Sequence, residues 1–412
     1  MRTATGSNTE CGSELEFGLH GANASDIIAR AGLLGLPDHA GTVVEHEVNK
    51  DQLVELNGRT SDGYLATDVR ALNSGMSALV TRLRETVEST GGVIYGGASL
   101  LENTANTETS WARTTSLSQT CANGFKSIMS QQVIVGFDDE LAAIAFFNAT
   151  RRVHPVLLAM SASSPFVREN GNVRTVGHSR RPMQYQQLLS RFPEAMRTQP
   201  HLETVEHYWS IVQGVSDDVL ALLDQNLLDA NWEELRRGRP DGAYFPFKRF
   251  NDSQMYWPTR LRPGHRSDRS LLSVEIRSPD MPATIERMIA MNNFVFGLAY
   301  AGERDGFDCI DGVDGDGTYD QLVPVAKQGL DAIYNNNPVR LHLVRLGRVA
   351  QSGLQYRGFI AESEQLGRML TTILSDGTDA DLLRERFNEQ SSIDDVRAYL
   401  VARLRNGENS NR

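Results

Sequence analysis

The pattern of apolar and polar positions predicts a chain in which strands and long helices follow one another irregularly. Alternating or continuous apolar runs at 14–19, 132–135 and 271–277 are typical of β-strands, whose successive side chains point to opposite faces. Apolar residues every three or four positions within 61–89 predict an amphipathic helix, and 282–300 also favours a helix. Because these elements do not repeat as regular strand–helix–strand units, the pattern favours an α+β fold.

The remaining elements are shorter or less regular. Short strands are expected between 41 and 56 and at 91–97. Helices are expected at 24–33, 138–160, 184–192, 204–212 and 217–228, and over most of the chain beyond 322. Pro155 should kink or break the helix that contains it, because proline lacks the amide hydrogen. Polar segments, or segments rich in Gly and Pro, predict loops at 101–120, 161–179 and 236–270.

Length and composition indicate an ordinary globular protein. The chain has 412 residues, of which 40% are hydrophobic and 23% charged, and it shows no internal repeat. We predict a single catalytic domain over 1–412, in which 320–412 forms a mainly helical C-terminal part. Neither GxGxxG nor GxxxxGK[ST] occurs, which argues against a Rossmann or P-loop nucleotide site.

Charge and cysteine content narrow the expected partners and location. The formal net charge of −11 argues against nucleic acid as a main partner, since binding to phosphate backbones needs a basic surface. The three cysteines, Cys11, Cys121 and Cys309, are too few for a disulfide framework and fit a reducing compartment. We find no apolar signal region and no run of about 18 apolar residues, so we expect a cytoplasmic protein without a membrane span.

Five short segments carry candidate chemistry. Side chains two positions apart on a strand point the same way, so Glu14 and Glu16 should face one cavity, as should Glu275 and Arg277. Carboxylates gathered in this way repel one another unless a cation lies between them. The five segments are Gly12–Phe17, Gln52–Glu55, Gln132–Gly136, Ser161–Phe166 and Ser273–Ser278.

In their residues and in their order along the chain, these segments resemble motifs of the glutamate–cysteine ligase family and of the wider carboxylate–amine ligases related to glutamine synthetase. The resemblance extends from about residue 12 to about residue 280. It implies a glutamine synthetase-like fold, in which an antiparallel β-sheet flanked by helices forms a funnel. In that fold, ATP is expected to enter at one end and the acid substrate at the other, with magnesium ions between them.

The resemblance also implies a set of metal ligands with oxygen donors, which suit Mg²⁺ and also Mn²⁺. Glu45 and Glu47 compete with Glu55 for one of these positions. Ile134 departs from the family pattern, which has a His, an Asn or a small residue there, and this suggests that the acceptor pocket differs. The implied ligands are Glu14, Glu16, Glu55, Gln132 and Glu275.

Three arginines complete the implied site. Arg181 and Arg277 match the arginines that act in catalysis and hold phosphate or carboxylate groups. Arg180 remains an alternative to Arg181, because the spacing before them differs by one residue. Arg262 lies in a segment that resembles one placed near the nucleotide phosphates.

The leading hypothesis is therefore an ATP-dependent ligase that forms an amide through an acyl-phosphate. The first-choice reaction transfers the γ-glutamyl group of L-glutamate to L-cysteine, as in glutathione-like thiol biosynthesis. One alternative is a ligase of the same family that joins another acid or amine in specialised metabolism. Another is a catalytically inactive homologue that only binds. We expect small-molecule substrates and a monomer or homodimer.

Overall fold

The computed structural model describes residues 10–33, 42–46, 53–58, 66, 68–97, 128–189, 194–222, 257–265, 270–310 and 318–408. Within these ranges, seven strands form one sheet with the path β2-β3-β1-β5-β9-β8, and β4 pairs with β1 off this path. All of these pairings are antiparallel. The strands of this sheet are β1 (Glu10–His20), β2 (Thr42–His46), β3 (Leu53–Gly58), β4 (Val93–Tyr95), β5 (Gln131–Phe137), β8 (Thr259–His265) and β9 (Ser270–Ile276).

Two small hairpins and a set of helices surround the sheet. The hairpins are β6 (Phe166–Glu169) with β7 (Asn172–Thr175), and β10 (Ile333–Tyr334) with β11 (Asn337–Pro338). The described helices are α1 (Ala24–Leu33), α2 (Val69–Glu88), α3 (Glu140–Ser161), α4 (Arg181–Leu189), α5 (Val205–Leu222), α6 (Ile285–Asp305), α7 (Tyr319–Gln328), α8 (Val339–Tyr356), α9 (Ile360–Asp376), α10 (Asp379–Arg386) and α11 (Ile393–Asn406).

The two faces of the sheet differ in polarity because its strands alternate. Phe17, Val133 and Val274 project to one face and join the hydrophobic cores under the helices. Residues of the opposite parity on the same strands, such as Glu16, Gln132 and Glu275, are polar yet almost completely buried. Burial of these apolar side chains from water stabilises the packing of the helices against the first face. The second face carries the candidate chemistry.

The central helix α6 packs closely against α8. A Cβ atom added to Gly297 would lie 2.3 Å from the carbonyl oxygen of Ala350, and one added to Gly353 would lie 2.0 Å from that of Gly297. Glycine at both positions therefore lets the two backbones approach each other. This contact joins the C-terminal helices to the helix that directly follows β9, so both belong to one packed body.

Several local predictions were wrong. The break predicted at Pro155 is absent, since α3 continues to Ser161 with the residues around the proline buried, while the alternative of a kink stays a prediction. The predicted loop at 161–179 contains the β6–β7 hairpin, whose turn residues Asn170 and Gly171 have φ values of 51° and 88°. Asn-Gly is a strong two-residue hairpin signal, so the sequence did contain this information. Residues 205–222 form one helix, and 259–265 form a strand inside the loop predicted for 236–270.

The prediction of an α+β fold is confirmed, since helices flank an antiparallel sheet. The sheet is open in the described part of the chain rather than closed. The loop predicted at 101–120 lies outside the described residues. Among the helices that are described, none is long and apolar enough to cross a membrane.

Candidate active site

Strand register brings the predicted carboxylates to one face of the sheet. Glu16 on β1 lies opposite Glu55 on β3, and Glu14 lies opposite Gln132 on β5. Residues directly opposite in an antiparallel pair project to the same face, and so do residues two apart on one strand. Four predicted metal ligands, contributed by three neighbouring strands, therefore share this face.

The same face continues to the other edge of the sheet. Glu275 on β9 lies opposite Ile134 on β5, and Arg260 on β8 lies opposite Glu275. Arg262 lies two positions after Arg260 and shares its face. The register thus sets carboxylates on β3 and β1 beside a group of arginines on β8 and after β9. This arrangement suits a bound anion that contacts a metal cation on one side and guanidinium groups on the other.

Two buried oxygens lie beside Glu16. The Ser130 amide donates a hydrogen bond to Oε2 of Glu16 at 2.7 Å, and Nε2 of Gln132 donates one to Oε1 of Glu16 at 3.4 Å. Within the described residues, Oε1 of Gln132 and Oγ of Ser130 are buried without a hydrogen-bond partner. A buried oxygen without a partner is costly, by about 1–3 kcal/mol. An oxygen-seeking cation bound here would satisfy them, so the donor set fits Mg²⁺ or Mn²⁺.

The complete set of metal ligands stays a prediction. In the ranges that the structure describes, no group of three or more His, Cys, Asp and Glu side chains is arranged to hold a metal ion. Glu275 in particular makes its described contacts with arginines. Glu45 lies opposite Glu55 across β2 and β3, so these two positions fall in the same row of the sheet. Glu47, the other competing position, lies outside the described residues.

Three arginines surround the fully buried carboxylate of Glu275. Arg260 forms a two-point contact, through Nε to Oε2 and through Nη2 to Oε1, the latter at 3.1 Å. Nη1 of Arg262 lies 3.6 Å and Nε of Arg277 3.9 Å from Oε1. Burial alone would raise the pKa of Glu275, but the arginines outweigh it and hold the pKa well below its usual range. Glu275 therefore stays ionised and orients the arginines.

Arg262 links the two halves of the face. Its Nη1 donates to Oε1 of Glu14 at 2.7 Å while remaining within 3.6 Å of Glu275. One guanidinium thus bridges a residue of β1 and a residue of β9. This contact places Arg262 between Glu14 and the arginine group around Glu275, and its role near nucleotide phosphates stays a prediction.

The structure distinguishes Arg181 from Arg180. Arg181 begins α4, is 4% exposed, and lies with its guanidinium carbon 4.9 Å from the centre of the Tyr185 ring. Burial, and then the nearby positive charge of Arg174 on β7, lower the pKa of Arg180 to about 10. Arg181 and Arg277 both act electrostatically on Tyr319, so both lie near that ring. The structure favours Arg181 as the site residue, and its role stays a prediction.

The Ser161–Phe166 turn surrounds Asp280 at the end of the last motif. The carboxylate of Asp280 accepts hydrogen bonds from Ser164 Oγ at 2.8 Å, Ser179 Oγ at 2.9 Å and the Ser163 amide at 3.2 Å. Ser161 Oγ accepts a hydrogen bond from the Asp280 amide. These serines thus bind protein groups and fix the turn to the end of β9. Their position supports a structural role for the turn.

His154 on α3 forms a buried polar group behind the strand ends. Its Nδ1 lies 2.9 Å from Ser278 Oγ, and its Nε2 lies 2.9 Å from Gln199 Oε1 and 3.0 Å from Thr259 Oγ1. Burial lowers the pKa of His154 to about 4, so the ring is neutral at pH 7. This arrangement indicates a structural role for His154.

Two important residues were missed by the sequence reasoning. Arg260 was overlooked although the alternation Thr259-Arg260-Leu261-Arg262 places both arginines on one face of a strand. Reading that segment as a loop concealed the pattern. Asp280 had no such signal, because its partners lie about 100 residues away and are brought to it only by folding.

Comparisons with known proteins agree with the motifs. The family model for glutamate–cysteine ligase family 2 (GCS2) matches residues 11–308. Among solved structures, the crystal structure of the complex between the prokaryotic ubiquitin-like protein Pup and its ligase PafA is similar with a TM-score of 0.47 and 10% sequence identity, covering 92% of this chain and 67% of that chain. No curated protein matches the sequence.

Proposed function

Since the chain belongs to glutamate–cysteine ligase family 2, a family of ATP-dependent carboxylate–amine ligases, we propose that it joins the γ-carboxylate of L-glutamate to the amine of L-cysteine. One observation carries the proposal. The motif residues Glu14, Glu16, Gln132 and Glu275 share a single face of the antiparallel sheet, together with the arginines of β8.

The proposed chemistry has two steps. A carboxylate is a poor acylating agent, so one of its oxygens first attacks the γ-phosphorus of ATP, which forms an acyl-phosphate and releases ADP. The amine nitrogen then attacks the acyl carbon, loses a proton, and expels phosphate. The product is an amide, and the protein needs no covalent nucleophile. Positioning and charge stabilisation supply most of the catalysis in such transfers.

Arginines are suited to this task. The guanidinium of Arg277 would present a fork of hydrogen-bond donors to phosphate oxygens, and its Nε lies 3.9 Å from Oε1 of Glu275. Arg262, held between Glu14 and Glu275, would contact the nucleotide phosphates. Arg181 would approach from α4. Together they would stabilise the charge that develops during phosphoryl transfer.

The proposed metal site lies opposite these arginines. Glu14, Glu16, Glu55, Gln132 and Glu275 would hold Mg²⁺ or Mn²⁺, and the bound ion would neutralise phosphate charge. The oxygens of Gln132 and Ser130 that lack partners in the described residues support this assignment. Small-molecule substrates, a cytoplasmic location and a monomeric or dimeric state remain predictions.

The test is release of ADP from ATP over a panel of acids and amines, with the product masses measured. L-glutamate with L-cysteine should give the highest turnover and the mass of γ-glutamylcysteine. ADP release with a different pair would retain the ligase and replace the substrates. A folded protein that binds ATP but turns over no pair would identify the inactive binding homologue.

One observation favours a second candidate, a ligase with an apolar amine. Ile134 lies on the polar face between Gly12 and Glu275, and it belongs to neither hydrophobic core described for the chain. Ile134 would contact an apolar substrate side chain more favourably than it would contact the thiol of cysteine. The panel should therefore include leucine, valine and phenylalanine. Ile134→Asn should shift the preference towards polar amines if this candidate is correct.

A further inference from the structure

Arg181 is a buried arginine whose described contacts are aromatic. Its side chain is 4% exposed and its guanidinium lies on the ring of Tyr185, 4.9 Å from the ring centre. Within the described part of the chain, it forms no salt bridge and no side-chain hydrogen bond. The carboxylate of Asp280 acts on Arg181 electrostatically but forms no described salt bridge with it, so the hydrogen-bond donors of the buried guanidinium are left for an anionic ligand.

A second ring supports the first. Tyr185 stacks on Tyr319 with ring centres 5.2 Å apart and an angle of 2° between the planes. Tyr319 opens α7, where Thr318 caps the helix and the Tyr319 amide donates to the carbonyl oxygen of Arg197. Gln186 also donates to Asp320 at 2.6 Å, which ties α4 to α7. Both rings are therefore held by their helices.

Tyr319 connects Arg181 to the rest of the site. Burial raises the pKa of Tyr319 above its usual range and Tyr185 adds to this, while Arg181 and Arg277 partly offset it. Both cations therefore lie close to this ring. Tyr319 also lies beyond residue 308, where the match to the family model ends. The C-terminal segment thus contributes directly to the surroundings of Arg181.

A similar stack elsewhere in the protein provides a matched comparison. Arg357 lies 5.2 Å from the ring centre of Tyr300, and Tyr300 stacks on Phe359 with centres 5.7 Å apart. There, however, Nη2 of Arg357 donates to Oε2 of Glu303 at 2.7 Å. The protein itself neutralises Arg357. Arg181 has the same aromatic support, but its described carboxylate neighbour, Asp280, acts on it only electrostatically and forms no described salt bridge with it.

We propose that Tyr185 and Tyr319 are positioning residues that hold the guanidinium of Arg181 towards the phosphate groups of the nucleotide. This inference rests on the proposed function for the identity of the ligand. The stack restricts the arginine before the ligand binds, which lowers the entropic cost of binding. The hydroxyl groups are not required, because support comes from the ring faces.

The first test is a double-mutant cycle that uses inorganic pyrophosphate as the probe, with binding measured by calorimetry. Arg181→Met and Tyr319→Leu should each weaken binding, by roughly tenfold for the arginine and several-fold for the tyrosine. The double variant should bind no worse than Arg181→Met alone, because Tyr319 acts through Arg181. Additive effects would overturn the proposal.

The second test compares turnover in variants with and without the ring. Tyr319→Phe keeps the stack and should retain near-normal kcat, while Tyr319→Leu should lower kcat several-fold with little change in the KM for the acid. Phe359→Leu removes the matching ring of the other stack and should lower the melting temperature without lowering kcat. Equal losses in Tyr319→Phe and Tyr319→Leu would overturn the proposal.

Failure of the inference is distinguishable from failure of the proposed function. If the wild-type protein releases no ADP with any substrate pair, the proposed function fails, and the pyrophosphate cycle still decides the role of the two tyrosines. If Tyr319→Leu does not fold, Tyr185→Leu and Tyr319→Met take its place in the cycle. If none of these variants changed pyrophosphate binding while the protein still catalysed ligation, the inference would be refuted.

Discussion

Two groups of charged residues in this protein contain the same types of side chain, arginines and carboxylates, but arrange them differently. On the sheet, Arg260, Arg262 and Arg277 converge on Glu275, and Glu14 joins them through Arg262. In the second group, the helix cluster, Arg287 and Arg403 contact Asp379 and Glu408. Both groups are buried or partly buried, yet only the sheet group lies on the face that carries the family motifs.

The helix cluster is balanced. Its two arginines meet two carboxylates at distances from 2.9 Å to 3.4 Å, and the cluster joins the start of α6, the start of α10 and the end of α11. Its members come from helix ends far apart in sequence. Breaking such a pair by removing one partner costs about 3–5 kcal/mol, because a buried charge is left uncompensated. This arrangement serves the packing of the C-terminal helices.

The sheet group instead places like charges side by side. Glu16 lies directly opposite Glu55, and Glu14 shares their face, while three arginines crowd around one carboxylate. Like charges opposite one another on a sheet are destabilising. A protein retains such an arrangement where a ligand with charges of both signs, such as a metal nucleotide, offsets the repulsion. The comparison therefore separates a structural charge cluster from a proposed functional one.

Removing the divalent metal should have the largest effect. We expect exhaustive chelation to reduce ADP release to background and Mg²⁺ or Mn²⁺ to restore it, since the predicted ligands all offer oxygen. Full activity after chelation would remove the metal from the mechanism.

Substitution in each cluster should give opposite signatures. Glu275→Gln should lower turnover by at least about 100-fold, the size seen when a group that stabilises developing charge is lost. Asp379→Asn should lower the melting temperature while the folded fraction keeps its turnover. Steady-state kinetics beside a thermal melt measures both. If the two variants behaved alike, the assignment of the two clusters would be wrong.

Arg277→Lys tests geometry rather than charge. Lysine retains the charge and roughly the reach but lacks the planar fork of donors, so turnover should fall about tenfold or more while ATP binding weakens only modestly. The melting temperature should stay near that of the wild type. Near-normal turnover would exclude Arg277 from the mechanism, and an unfolded variant would indicate a structural ion pair.

The smallest expected effect concerns Asp280, whose described hydrogen-bond partners are serines, with Arg181 acting on it only electrostatically. Burial raises the pKa of Asp280 to about 6, with hydrogen bonds from the serines partly offsetting this. An unfolded aspartate titrates near about 3.9, so the folded state binds the proton more tightly. The stability it contributes is present below about pH 4 and is lost as the pH rises through about 6.

The measurement is the difference in unfolding free energy between the wild type and Asp280→Asn. As the pH rises from about 4 to about 6, the wild type should lose stability relative to the variant by at most about 3 kcal/mol. A difference that rises with pH over this window would mean that the arginines control Asp280, as they control Glu275.

Much of the local structure followed from the sequence. Alternation predicted β1, β5 and β9, and the three-to-four-residue period predicted α2 and α6, because burial of one face imposes the period of the element. The pairing of Glu14 with Glu16, and of Glu275 with Arg277, on common faces also follows from that period. The family motifs added the identity of the chemistry.

Only the tertiary structure decided which of these residues meet. Register sets Arg260 opposite Glu275 and Glu45 opposite Glu55, and a shift by one residue would invert each face. Folding brings Tyr319 onto Tyr185 and Ser179 onto Asp280 across more than 100 residues. No local period encodes such contacts, since they depend on how helices pack on the sheet. The periodic pattern thus determined the elements, while packing and register determined the site.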